Sequence, residues 1–175
     1  MGLLWLWMLD PQLGLVNQAV QALGFERLGF LGSPDLAMPS IAWINIWRHA
    51  GYTALLIFSG LQTIPKELYE AASIDGADER SAFFRITIPL LRPVLVFVLV
   101  TTIIGSFQIF DTIAITTKGG PVGATRVLFW YIYEFAFSRF KMGLAMAAAV
   151  VLFAILITIT LIQMRFLRAN ESDMS

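Results

Sequence analysis

Apolar positions in this chain come in long runs, and polar positions gather between them. Three runs, roughly Pro39 to Ile64, Leu90 to Ile115 and Gly143 to Phe166, reach the ~20 residues that a membrane-crossing helix needs. The first two are joined by the densest charge in the sequence, Pro65 to Pro93, with Lys66, Glu67, Glu70, Asp75, Asp78, Glu79, Arg80, Arg85 and Arg92. Such a segment reads as a connector held at one bilayer surface. Its local signals predict a helix, a turn and a helix. Pro65 suits a first helical position, where its missing N–H is no loss. Glu67 and Glu70 sit near the positive helix end. Gly76 fits a left-handed cap, and Asp75 or Asp78 can cap a second short helix. Pro89 discourages that helix from continuing unbroken. The connector therefore reads as a rigid knob presented to something soluble.

Elsewhere the breakers dominate. Residues 10–38 hold Pro11, Gly14, Gly24, Gly29, Gly32 and Pro34, and predict a loop with a short amphipathic helix at Leu15 to Leu23, Asn17 near its start. The opening MGLLWLWMLD is apolar but too short to span, and it lacks a basic signal-peptide start. Lys118 to Pro121 predicts a turn. The aromatic stretch Val127 to Phe137 predicts a short helix dipping in at the outer surface, since Trp and Tyr favour the headgroup region. Arg139 and Lys141 mark the start of the last span. There Gly143, Ala145, Ala147, Ala148 and Ala149 offer a small-residue packing face. The expected organisation is an N-terminal remnant and loop over 1–38, a transmembrane domain over 39–168 containing the connector 65–93, and a polar tail over 169–175.

Polar residues inside the spans are the candidate lining of a passage. Asn45, Arg48, His49 and Tyr52 recur at i, i+3, i+4 and i+7, one stripe of a helix. A charge in the bilayer costs roughly 2.5–3.5 kcal/mol on insertion scales unless it meets water or a partner, so the stripe should face a polar cavity. Alternatively, Arg48 snorkels to the surface and His49 bonds a neighbouring helix. In the second span Thr102, Ser106 and Ile109 share a face. Ser106, Gln108 and Asp111 cannot all lie on one narrow stripe, and some of them can serve packing. Phe107 and Phe110 are suited to stacking on the apolar face of a bound solute, and the hydroxyls and amides to bonding its polar groups. Threonines in such helices also bond their own backbone, most plausibly Thr101.

Composition narrows the function classes. The chain is 58% hydrophobic with mean hydropathy +0.75 and only 14% charged, against about 25% charged in soluble domains. Net charge is zero, leaving no electrostatic basis for nucleic-acid binding. No cysteine is present and His49 is the sole histidine, so no thiol chemistry, metal site or catalytic set is expected. No cofactor is expected either, and no GxxxxGK[ST] loop occurs, so ATP is not bound by that route. The connector and tail carry six basic residues (Lys66, Arg80, Arg85, Arg92, Arg165, Arg168) against five on the opposite side (Arg27, Lys118, Arg126, Arg139, Lys141). That bias agrees with a cytoplasmic connector but does not decide it.

Glu70-Ala71-Ala72, three residues, Gly76, nine residues, then Ile86-Thr87-Ile88-Pro89 resembles the EAA loop of ABC importer permeases, departing only in Ile88 for Leu. LQTIPKELYEAASIDGA, ITIPLLRP and TKGGP resemble the carbohydrate-uptake branch, and the resemblance runs over nearly the whole chain. It implies an all-α membrane protein, a type I ABC importer permease-like helical bundle with three full transmembrane helices plus short surface helices. It implies a multi-pass protein of a bacterial-type inner membrane, with the first residues being the end of an earlier span. Glu70, Ala71, Ala72, Asp75, Gly76, Ile86 and Pro89 would couple to an ATP-binding subunit dimer. Asn45, Arg48, His49, Tyr52, Thr102, Ser106, Gln108 and Ile109 would line the path of a small sugar, although Arg48 and His49 are bulkier and more polar than the residues usual there. A second permease subunit, an extracytoplasmic solute-binding protein and membrane lipid would complete the surroundings. The competing expectation is a truncated or non-transporting membrane scaffold.

Overall fold

The computed structural model describes residues 1–168, with side chains to Arg165, and contains helices and no strand among them. The predicted tail over 169–175 lies outside the described residues. The helices are α1 (Gly2–Met8), α2 (Leu15–Ala22), α3 (Pro34–Gln62), α4 (Lys66–Ile74), α5 (Glu79–Ala82), α6 (Ile88–Phe107), α7 (Asp111–Ile115), α8 (Leu128–Tyr133) and α9 (Met142–Arg168). Two π segments, with wider turns closed by i→i+5 bonds, Phe83–Thr87 and Glu134–Ser138, follow α5 and α8. Two compact units result, one of Met1–Arg48 with Ile104–Ile162, the other of His49–Ile103 with the described residues from Gln163 on.

The first unit is built around the apolar ends of its helices. Trp5, Leu9 and Ile44 form a buried cluster with Met8, Val16, Phe30 and Leu31 packed against it. Trp5 meets Trp47 edge-on, with ring centroids 5.4 Å apart. The residues 10–38 are more than a connector. Asn17, 1% exposed, donates to the carbonyls of Leu28 (2.9 Å) and Asp10 (3.2 Å) and accepts from the Leu28 N–H. One buried amide thus fastens α2 to the loops on both sides. The Asp10 carboxylate accepts from the Leu13 and Gln12 amides, at 2.8 Å each, and these bonds hold its pKa below the ordinary value. The 118–121 turn is tied by the buried Thr125, which donates to the Gly120 carbonyl at 2.7 Å. Phe135, Ala136 and Ala145 form a second cluster.

In the second unit α3 and α6 approach closely at Gly60, where an added Cβ would lie 2.9 Å from Leu91 Cδ2 and Val94 Cγ2. The Thr63 hydroxyl donates to the Gly60 carbonyl at 2.7 Å as α3 ends.

Several boundaries differ from the sequence expectation. Helix α3 starts at Pro34 rather than Pro39: Pro34 suits a first helical position, whose N–H lacks a partner anyway, and Pro39 lies inside the helix. Pro65 is the cap before α4, in extended conformation, not its first helical residue. The second span ends as a helix at Phe107, and Gln108 to Phe110 turn the chain before α7. The small-residue face of α9 is only partly covered within this chain: Ala145 is buried while Gly143, Ala147 and Ala149 are exposed.

Among the described residues, two stretches qualify as membrane spans by length and apolarity, Glu79–Ile115 (containing α5 to α7) and Met142–Arg165. Helix α3, at 29 residues, is long enough, about 43 Å at 1.5 Å per residue. Asn45, Arg48 and His49 in its middle keep it from the same apolarity. The expected third full span is thus present as a helix and not met as an apolar one.

Candidate functional site

The connector folds into the expected knob, and its turn is more fully specified than sequence reasoning foresaw. Gly76 has φ +78°, the left-handed region. The Gly76 N–H donates to the Ser73 carbonyl (3.1 Å) and the Ala77 N–H to the Ala72 carbonyl (2.9 Å). That paired pattern is a Schellman motif, and it satisfies two of the carbonyls a helix end leaves open. Of the two acids considered as caps, Asp78 performs the role: its carboxylate accepts from the Ser81 amide at 3.0 Å.

As expected, the helix before Pro89 does not continue unbroken. Pro89 does not end the second helix. The α5 register gives way to the π segment Phe83–Thr87, and the chain then continues through Pro89 into α6. A proline lacks the N–H that the preceding turn would use, and a π-turn is one way to carry a helix past that gap. Thr87 is thereby buried, and its hydroxyl hydrogen-bonds the Tyr69 hydroxyl of α4 at 2.8 Å. That strut between the two arms had no signal in local sequence, because 18 residues separate the partners.

Ala72, Asp75, Gly76 and Ile86 line one surface hollow together with Ala77, Asp78, Ser81, Ala82 and Arg85. Glu70, Ala71 and Pro89 lie outside its lining and are solvent-exposed. At the tip Ile74 is 87% exposed, a large apolar side chain beside an acidic turn.

The second set of site residues is divided between the two units. Asn45, Arg48, Ser106, Gln108 and Ile109 belong to the first, and His49, Tyr52 and Thr102 to the second. Asn45 donates to the Ile41 carbonyl one turn back, at 2.8 Å. His49 and Tyr52 are exposed. Thr102 donates to the Val98 carbonyl at 2.6 Å, just as Thr101 bonds Phe97 and Val98, so the backbone-bonding alternative describes both threonines. Ser106 and Gln108 are exposed and Ile109 is half-buried. Phe110 is engaged with Phe129, Trp130 and Tyr133, at centroid distances of 4.8–5.9 Å, which removes it as a stacking surface for a sugar.

Arg48 has a partner that sequence spacing could not supply. Its Nη1 donates to Oδ2 of Asp111, 63 residues away, at the start of α7. Both side chains stay partly open, 38% and 54% exposed. A second charged group sits near α9. Glu134 bridges Arg126 and Arg139, each at 2.7 Å. Burial pushes its carboxyl pKa up, but hydrogen bonds and charge from Arg139 and Arg126 outweigh it, and the pKa falls below the ordinary value. No cluster of His, Cys, Asp or Glu suited to a metal occurs among the described residues.

These features can be set beside known proteins. The family described as binding-protein-dependent transport system inner membrane component matches residues 1–171. A sulfoquinovosyl glycerol transport system permease protein of Agrobacterium fabrum is 39% identical over 170 residues, covering 97% of this chain and 55% of that protein. An sn-glycerol-3-phosphate transport system permease protein of Yersinia pseudotuberculosis is 37% identical over 166 residues, covering 94% and 56%. Among solved structures, a bacterial ABC transporter involved in the import of the acidic polysaccharide alginate superposes with TM-score 0.86 at 26% identity, covering 96% of this chain and 59% of that one. The alginate ABC transporter in complex with alginate pentasaccharide-bound periplasmic protein gives TM-score 0.83 at 27% identity, covering 93% and 57%. The chain thus spans 55–59% of the length of these relatives. Its helical fold is that of an ABC importer permease, as the resemblance implied. With 171 of its 175 residues matched, the chain belongs to the binding-protein-dependent transport system inner membrane component family.

Proposed function

We propose that the chain forms part of the membrane path of an ATP-driven importer of an acidic carbohydrate derivative. The observation that carries this reading is the Schellman-capped hairpin of α4 and α5, which fixes an exposed, mixed apolar and acidic tip on a stiff support. A tip of that kind suits docking into a cleft of a soluble ATPase dimer. Motion of the ATPase would then reach α3 and α6, which flank the hairpin in sequence. ATP hydrolysis would reside on that partner. Glu70 would anchor the knob by charge-assisted hydrogen bonds. A second permease subunit would complete the path, and an extracytoplasmic binding protein would deliver solute.

The substrate class draws on the relatives' substrates. Sulfoquinovosyl glycerol, glycerol 3-phosphate and alginate all combine hydroxyl groups with an acidic group. Helix α3, crossing the bilayer with Asn45, Arg48, His49 and Tyr52 toward the passage, would supply both polar contacts and positive charge.

Reconstitution with the ATPase, binding protein and second permease tests the reading. ATP-dependent uptake of an acidic saccharide into proteoliposomes is the expected result. A complex that assembles stably yet moves no solute under ATP would overturn it in favour of a scaffold.

A further inference from the structure

Resting on that reading of the path, we propose that Arg48 receives the acidic group of the solute, and that Asp111 is the counter-ion the solute displaces. Arg48 is the central residue of α3, with 14 residues before it and 14 after it in Pro34–Gln62. About 21 Å of helix lies on either side at 1.5 Å per residue. A side chain at the centre of such a span is too far from either end to snorkel out. Its charge must be met inside, and Asp111 meets it.

The way Asp111 does so leaves room for a competitor. One guanidinium nitrogen, Nη1, contacts one carboxylate oxygen, Oδ2. Among the described residues the Nε–Nη2 edge has no other hydrogen-bond partner. Sulfonate, phosphate and carboxylate groups bind such an edge through two parallel hydrogen bonds, which are stronger and more directional than a single-point contact. Both side chains are open enough to be reached, at 38% and 54% exposure. Asp111 therefore keeps the cation neutralised while the path is empty. It yields to an acidic solute and can then accept hydrogen bonds from that solute's hydroxyls. A neutral sugar brings no charge that competes with Asp111, so the pair rejects it.

The two partners of a purely structural ion pair would fail in the same direction when substituted. A displaceable counter-ion makes them fail in opposite directions. The test is equilibrium dialysis of radiolabelled probes against the assembled transmembrane complex, in nanodiscs of zwitterionic lipid and without binding protein. The probes are a glucuronic-acid disaccharide, the matched neutral glucose disaccharide and inorganic phosphate. Wild type should bind the acidic disaccharide roughly tenfold more tightly than the neutral one, the equivalent of one tenth the Kd. Arg48→Gln should abolish that preference, and Arg48→Lys should keep part of it. Asp111→Asn should tighten the acidic disaccharide severalfold and leave the neutral one unchanged. Phosphate should compete with the acidic disaccharide alone. The proposal is overturned if Arg48→Gln retains the preference, or if Asp111→Asn weakens binding. Should Arg48→Gln fail to assemble, the Asp111→Asn result decides by itself. ATP-driven uptake by the wild-type complex separates the two levels. Uptake without charge preference sinks only this proposal, and no uptake of any probe sinks the function on which it rests.

Discussion

The knob at Pro65–Pro89 and the polar stripe centred on Arg48 are built by opposite kinds of order. In the knob nearly every bond is short in sequence: Gly76 to Ser73, Ala77 to Ala72, Ser81 to Asp78. At the stripe the decisive contact joins Arg48 to Asp111, 63 residues away. The first is a device that local chemistry nearly dictates. The second exists only once the helices have packed. A part that docks against a motor gains from local rigidity, whereas a part that must admit a solute gains from a contact that can open.

Substitutions can separate the two. The largest effect is expected at Gly76. An ordinary side chain at left-handed φ costs about 1–2 kcal/mol, and a β-branched one more. Space is not the obstacle, since an added Cβ meets nothing within 4 Å. Gly76→Val should therefore lower ATP-driven uptake roughly tenfold or more, while Gly76→Asn, which tolerates that conformation, should keep much of it. Binding of acidic saccharides by the membrane domain should be unchanged in both. A coupled loss of binding would erase the distinction between the regions.

Gly60→Val comes next. The new side chain would press on Leu91 and Val94, an overpacking cost of about 1–3 kcal/mol. Reduced thermal stability of the solubilised protein is the expected readout, with both regions affected because α3 and α6 adjoin both.

Removing the strut with Tyr69→Phe leaves the buried Thr87 hydroxyl without its partner, at about 1 kcal/mol. Removing the cap with Asp78→Ala costs about as much. Each should speed amide exchange at 69–87 severalfold and raise the ATP consumed per solute moved, without altering solute affinity.

The smallest effect concerns Glu134. Its carboxyl pKa is lowered from 4.5 by Arg139 and Arg126. The stabilisation is therefore fully present above the unfolded value of 4.5 and is lost as pH falls through the lower folded value. The protection factor of the Arg139 amide, whose N–H bonds the Glu134 carbonyl, should be flat above pH 4.5 and fall below it.

Legibility in the sequence follows the same divide. The apolar runs predicted the long helices, and Gly76 with Asp75 or Asp78 predicted the turn and a cap, because these rest on neighbours three to five residues away. Pro89 announced an interruption but not its form, which depends on whether the helix can widen its turn, and the π segment supplied that option. Asn17 was legible as a helical residue but not as the clamp on Leu28. Phe110 looked like a stacking surface until the aromatic residues of α8 covered it. Asp111 was visible as a polar interruption, and the physical demand that Arg48 find a partner was visible too. Joining them required the chain break at Gln108 to Phe110, which no period in the sequence announces. For α3 the same residues that suggest a passage lower its hydropathy, so it does not read as an apolar span.

The central claim is that the tip of the α4–α5 hairpin engages a soluble motor on the cytoplasmic side. The chain contains no cysteine, so Ile74→Cys, at a position 87% exposed, would give these 175 residues a single thiol. Crosslinking that thiol to the ATPase subunit in inside-out membrane vesicles, with and without ATP, tests the claim most directly. The account predicts a crosslink to the ATPase and protection from a membrane-impermeant maleimide added to intact cells. Labelling from outside the cell, with no crosslink to the ATPase, would contradict it.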